Sequence, residues 1–128
     1  MSISTIAMIG IGGAAGAVMR HGVNVGSASF FGTAYPLGTL IVNIAGSFVM
    51  GLLISIFAHL WQPSPEIKLF LITGFLGAFT TFSSFSLDFV NLWERGDLLG
   101  ALSYALFSVV FSITALALGM LAIRWVAL

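Results

Sequence analysis

Apolar residues run along this chain in four long blocks, at about 2–25, 37–60, 67–91 and 98–128, with polar residues clustered between them. A helix crossing a bilayer needs roughly 20 apolar residues, so each block is long enough to be a membrane-spanning helix. The connections are short and carry breakers. Gly32 and Pro36 punctuate the first, Pro63 and Pro65 the second, and Glu94-Arg95-Gly96-Asp97 closes the third. Such residues mark turns, and short turns make successive helices neighbours. The pattern predicts an all-α membrane protein, a single domain over residues 1–128 with four transmembrane helices and no internal repeat.

The blocks are not evenly apolar. In the third, Gly74-Phe75-Leu76-Gly77-Ala78-Phe79-Thr80-Thr81-Phe82-Ser83-Ser84-Phe85-Ser86 holds five hydroxyls, two glycines and four phenylalanines. Polar or irregular backbone at membrane depth is tolerated only where protein buries it or water and ions line it. Function is therefore expected here. In the second block Thr39, Asn43, Ser47, Gly51, Ser55 and His59 follow one another at intervals of four, as do Gly100, Tyr104, Ser108 and Ser112 in the fourth. Steps of four drift by roughly 40° around a helix, so three successive members share a face and six do not. Thr39–Asn43–Ser47 and Tyr104–Ser108–Ser112 are the expected stripes.

Each stripe has an ordinary reading beside the functional one. A hydroxyl can bond the carbonyl one turn earlier, the better expectation for an isolated Ser. Asn43 cannot be satisfied so cheaply in hydrocarbon, so its amide faces another helix, as glue, or a wet path. Phe79, Phe82 and Phe85 recur every three residues and are expected along one side. A ring has a positive edge and a negative face; edges turned to a narrow path favour an anion, faces a cation, and composition does not choose. Gly12 and Gly16 form a small-xxx-small pair that serves helix packing, either within one subunit or between two.

Composition narrows the classes. Charged residues are 6% and hydrophobic residues 59% of the chain, against about 25% charged in a soluble domain, and the mean hydropathy is +1.15. The absence of cysteine removes disulfides and thiolate chemistry, a net charge of zero gives no electrostatic case for nucleic acid, and no nucleophile–base pair or metal cluster suggests an enzyme. Nothing between Met1 and Met19 is positively charged and Arg20 follows that run, the reverse of a signal peptide, so the first block is expected to stay as a helix. Arg20, Glu66, Lys68, Asp88 and Arg124 all fall toward span ends, as do His21 and His59. The central carboxylate that marks proton-coupled transport is missing. Neutral donors remain, which suit passive conduction. With the N-terminus inside, Lys68 and Arg124 lie on one side and Arg20 and Arg95 on the other. The positive-inside rule needs an excess; with none, either other signals set one orientation or, the sharper reading, the chain has dual topology and pairs antiparallel with itself.

The Gly74–Ser86 string, together with Gly38-Thr39-Leu40-Ile41-Val42-Asn43 and a Gly-rich first helix ending at Arg20, strongly resembles the Fluc (CrcB-type) fluoride channel family over nearly the whole chain. The resemblance implies a broken third helix and an antiparallel homodimer in the cell (inner) membrane, with two passive pathways that export cytoplasmic fluoride. By the same resemblance Phe82 and Phe85 present ring edges to the anion, the Asn43 amide donates to it, and Tyr104, Ser108 and Ser112 form a polar track. Thr39 and Ser84 join the pore residues, and Arg20 is the vestibule arginine. Backbone carbonyls of Gly77 and Thr80 from both subunits are implied to hold a structural Na+, with no organic cofactor. Two positions depart from the pattern, Ser84 for an expected Thr and Asp88 for an expected Glu; Ser keeps the hydroxyl. The alternatives are a small dual-topology proton-coupled exporter, for which the first block lacks an acidic residue, and a membrane subunit whose stripes only glue helices.

Overall fold

A computed structural model describes all residues, 1–128. Helix α1 spans Ile3–Phe31, α2 Leu37–His59 and α6 Leu98–Ala127. The third span, Pro65–Glu94, is composite. It starts as a turn of α-helix, α3 (Pro65–Lys68), widens into π-helix at Leu69–Leu76, returns to α-helix in α4 (Gly77–Phe79), and resumes beyond Thr80 and Thr81 as α5 (Phe82–Glu94). All four spans are long and apolar enough to cross a membrane, so the expected all-α architecture with an interrupted third helix is the observed one.

Local chemistry sets the ends. A side-chain oxygen at the residue before a helix can accept one of its orphan N–H groups. Ser2 does this for Thr5, Ser64 for Ile67 and Asp97 for Gly100. Pro65 sits at the first position of α3, where a missing N–H costs nothing. Helix α1 runs beyond the expected end near Val25, because nothing in 26–31 interrupts a helix. It stops at Gly32, whose φ of 77° suits only glycine well.

Close packing rests on glycine. A Cβ on Gly12 would strike the Phe70 carbonyl, and one on Gly16 the Phe75 carbonyl, so this small-xxx-small pair seats α1 on the first half of the third span within one subunit. Gly51 and Gly119 do the same for α2 and α6: their added Cβ atoms would meet the carbonyls of Leu116 and Phe48. Beyond the break, α5 leaves α1 and lies on α6, where Leu40, Leu92, Ala101 and Tyr104 form a buried cluster. The break thus hands the chain from one packing partner to another, and a gap opens where it does so.

Candidate functional site: a hydroxyl-lined cavity at the helix break

Thr80 (φ −86°, ψ 160°) and Thr81 (φ −156°, ψ 124°) are extended between two helical halves. β-Branching makes both residues comfortable there. In a continuous helix the Thr81 N–H would return to the Gly77 carbonyl; here it donates to Asn43 Oδ1 at 2.8 Å. Asn43 Nδ2 in turn donates to the Thr81 carbonyl at 3.0 Å. One amide side chain from α2 therefore pairs both backbone groups of Thr81. Thr80 turns back instead: its N–H, at 3.0 Å, and its hydroxyl, at 2.8 Å, both donate to the Leu76 carbonyl. The Thr81 hydroxyl accepts from Ser84 N–H at 3.1 Å and starts α5.

A cavity of about 310 Å³ lies against this break. Asn43 and Ser47 reach it from α2, Thr80 and Thr81 from the break, Phe82 and Phe85 from α5, and Ser108 and Ser112 from α6. No charged side chain lines it. The hydroxyls of Ser108 and Ser112 are buried and have no protein partner, so they do not back-bond to the preceding turn. Asn43 spends its carbonyl and one N–H on Thr81; a primary amide has a second N–H, which stays available.

A second cavity, also about 310 Å³, opens toward the α1–α2 connection and is lined by Thr39, Ser84, Asp88, Asn24 and Tyr35 among others. The Thr39–Asn43–Ser47 stripe therefore runs from one cavity into the other. Tyr104 stands between them, fully buried. Its ring lies 5.2 Å from Phe85 and meets Tyr35 edge-on at 5.7 Å, and its hydroxyl donates to Asp88 Oδ2 at 3.0 Å.

Of the residues expected from the sequence, the structure gathers Asn43, Phe82, Phe85, Ser108 and Ser112 at the first cavity and Thr39 and Ser84 at the second. The Phe stripe is cut in two. Phe82 and Phe85 stay together at 5.5 Å, but Phe79 is buried and stacks on Phe75, because the two extended residues reset the helical phase between 79 and 82. Phe82 is 78% exposed and so stands on the open side of the cavity. Arg20 lines neither cavity, and Asp88 bonds Tyr104 rather than Arg20. Gly77 lies on an exposed face, and its carbonyl has lost the Thr81 donor. Thr81 and Tyr35 were missed. Thr81 has the sequence mark of a helix N-cap, a Thr just ahead of an apolar periodic run; nothing local signals Tyr35, whose hydroxyl reaches Ser103 across the fold at 3.2 Å.

Four apolar helices, one of them interrupted over a cavity of uncharged polar groups, define a multi-pass membrane protein built around a polar opening. The model of the family described as CrcB-like protein, Camphor Resistance (CrcB), matches residues 7–120, and the chain belongs to that family. Relatives named fluoride-specific ion channel FluC are similar along nearly their full length. The one from Rhodospirillum centenum is 48% identical, covering 93% of this chain and 94% of its own. That from Mesorhizobium japonicum is 51% identical over 88% and 90%, and that from Cereibacter sphaeroides 48% identical over 98% and 99%.

Proposed function

We propose that the protein is a passive, fluoride-selective channel that lets fluoride leave the cytoplasm across the cell (inner) membrane. The observation that carries this is the cavity at the break: within the span, donors converge and no charge does. Fluoride is small and strongly hydrated, so a path must replace its water with short donor contacts. The second N–H of Asn43, the Ser108 and Ser112 hydroxyls and the ring edges of Phe82 and Phe85 supply them. Uncharged donors hold an anion weakly enough to release it, which conduction requires. Thr39 and Ser84 continue the polar lining toward the second cavity, Tyr104 holds Asp88 and backs the Phe85 ring between the two, and Arg20 attracts anions to a vestibule. The names of the relatives point to the same ion.

The working unit is an antiparallel homodimer with two such paths. Cations balanced across the loops support dual insertion. So does the exposed face carrying Gly77, Phe82, Ser83 and Ser86, which holds polar groups that lipid does not welcome. A two-fold axis in the membrane plane would bring equivalent carbonyls together. Gly77 and Thr80 fit a structural Na+ at that axis: the first has lost its helical donor, the second is extended, and neutral carbonyls at an unwound helix suit an alkali cation. Such an ion would satisfy freed carbonyls and hold the halves of the assembly together.

Purified protein in liposomes tests the proposal. Fluoride efflux is expected with chloride retained and no sodium carried alongside. Chloride leaving as fast as fluoride, or no fluoride leaving, overturns it.

A further inference from the structure

We infer that Thr81 is a positioning residue for ion passage: it joins the anchor at Asn43 to the start of α5, and so fixes how Phe82 and Phe85 are presented to the cavity. The inference rests on the fluoride-channel reading and goes beyond it, since Thr81 is offered no contact with the ion.

Every polar group of Thr81 is committed. Its N–H and carbonyl are both held by Asn43, at 2.8 and 3.0 Å. Its hydroxyl accepts the Ser84 N–H at 3.1 Å and lies 3.4 Å from the Ser83 hydroxyl. The residue is only 9% exposed, so water does not substitute for these partners. Thr81 is extended and Phe82 is the first residue of α5, so the chain changes from free peptide to helix in one step. Where that step occurs sets the direction of the Phe82 ring and, one turn later, of Phe85. Loss of a cap lets a helix start fray into the next residue. At most sites that is a modest cost in stability; here the fraying residue carries the ring that faces the path.

The test separates hydroxyl from shape. Thr81→Val keeps the β-branch and the peptide bonds to Asn43 and deletes only the cap, whereas Thr81→Ser restores the hydroxyl without the methyl. Removing a Thr cap typically costs about 1 kcal/mol, or about fivefold in an equilibrium. Fluoride efflux per reconstituted dimer is accordingly expected to fall about fivefold or more in T81V and to stay within about twofold of the parent in T81S. A residue that only stabilises the fold would reduce the yield of dimer and leave the rate of each reconstituted dimer alone. If T81V does not reconstitute, the α-hydroxy acid analogue of serine at position 84 replaces the capped N–H with an ester oxygen and leaves every side chain in place; the same loss is expected. Parent-like rates in T81V, or in the ester when T81V is lost, overturn the inference while the channel reading stands. A parent protein that passes no fluoride takes both down.

Discussion

The third span and α6 are equally long, 30 residues each, and both carry hydroxyls at membrane depth, yet one is broken and the other continuous. In α6 Tyr104, Ser108 and Ser112 recur every four residues on an unbroken backbone, so they line a wall without disturbing it. In the third span the backbone itself becomes part of the chemistry. Thr80 and Thr81 leave the helix, the N–H and carbonyl of Thr81 are handed to Asn43, and the Gly77 carbonyl is released. A hydroxyl on a regular helix furnishes one oxygen to the wall it lines. An interruption frees several backbone groups at once, provided a neighbour stands ready to take some of them.

The sharpest way to break this contrast is to attack the regular half. At Gly51 a side chain would run into the Leu116 carbonyl, a backbone atom that cannot swing away. Gly51→Val is expected to cost about 3 kcal/mol, the upper end of overpacking, and to leave little monodisperse protein on size-exclusion chromatography. A normal yield would show that α2 and α6 can part without loss. Next comes the clip. Asn43→Ala strands the Thr81 N–H and carbonyl, each worth about 1–3 kcal/mol when buried and unpaired. Fluoride efflux is expected to drop about 100-fold or more, at about 1.4 kcal/mol for each factor of ten. Wild-type efflux from this variant would mean that the break holds itself open.

A smaller change probes the junction between the two regions. Tyr104→Phe keeps the ring contacts to Phe85 and Tyr35 and removes only the hydrogen bond to Asp88. A hydrogen bond to a carboxylate is worth about 1.5–3 kcal/mol, so efflux is expected to fall about tenfold or more. An unchanged rate would separate the Tyr104–Asp88 pair from the path.

The regular parts of the molecule were legible in the sequence because their signals are local. Apolar block length gave the four spans, four-residue spacing gave the stripes, and the density of Gly, Thr and Ser marked where function was expected, while the break there came from the resemblance to the channel family. What the sequence left open depends on distant partners. Asn43 and Thr81 are 38 residues apart, so the amide could be seen to need a partner but not which one. Gly12 and Gly16 announced a close approach without saying against what; the answer is the Phe70 and Phe75 carbonyls of the same chain. The spacing of Phe79, Phe82 and Phe85 assumed a continuous helix, and two extended residues removed Phe79 from the set. The first apolar block covers about 2–25, yet α1 reaches Phe31, because only Gly32 has the backbone geometry of an end.

The finest distinction lies where α2 meets α6, between a hydroxyl that glues helices and one that serves an ion. Ser55 shows the first kind: its hydroxyl donates to the Met120 carbonyl at 3.1 Å and ties α2 to α6. Ser112 is the second kind in the proposed reading, its hydroxyl buried beside the cavity with no partner in the protein. Deleting a bonded hydroxyl strands its partner, whereas deleting an unbonded one removes a group that was costly to bury. Ser112→Ala is therefore expected to leave thermal stability unchanged or raised by up to about 1 kcal/mol while fluoride efflux falls about two- to threefold, the loss of one weak donor along the path. Ser55→Ala is expected to do the reverse, lowering stability by about 1 kcal/mol with the rate of the surviving protein intact. Thermal melts in detergent and efflux from liposomes, run on both variants, read the two signs together. If Ser112→Ala destabilises the protein as Ser55→Ala does, and both conduct alike, the cavity is a packing defect and the donors along α6 are not a path.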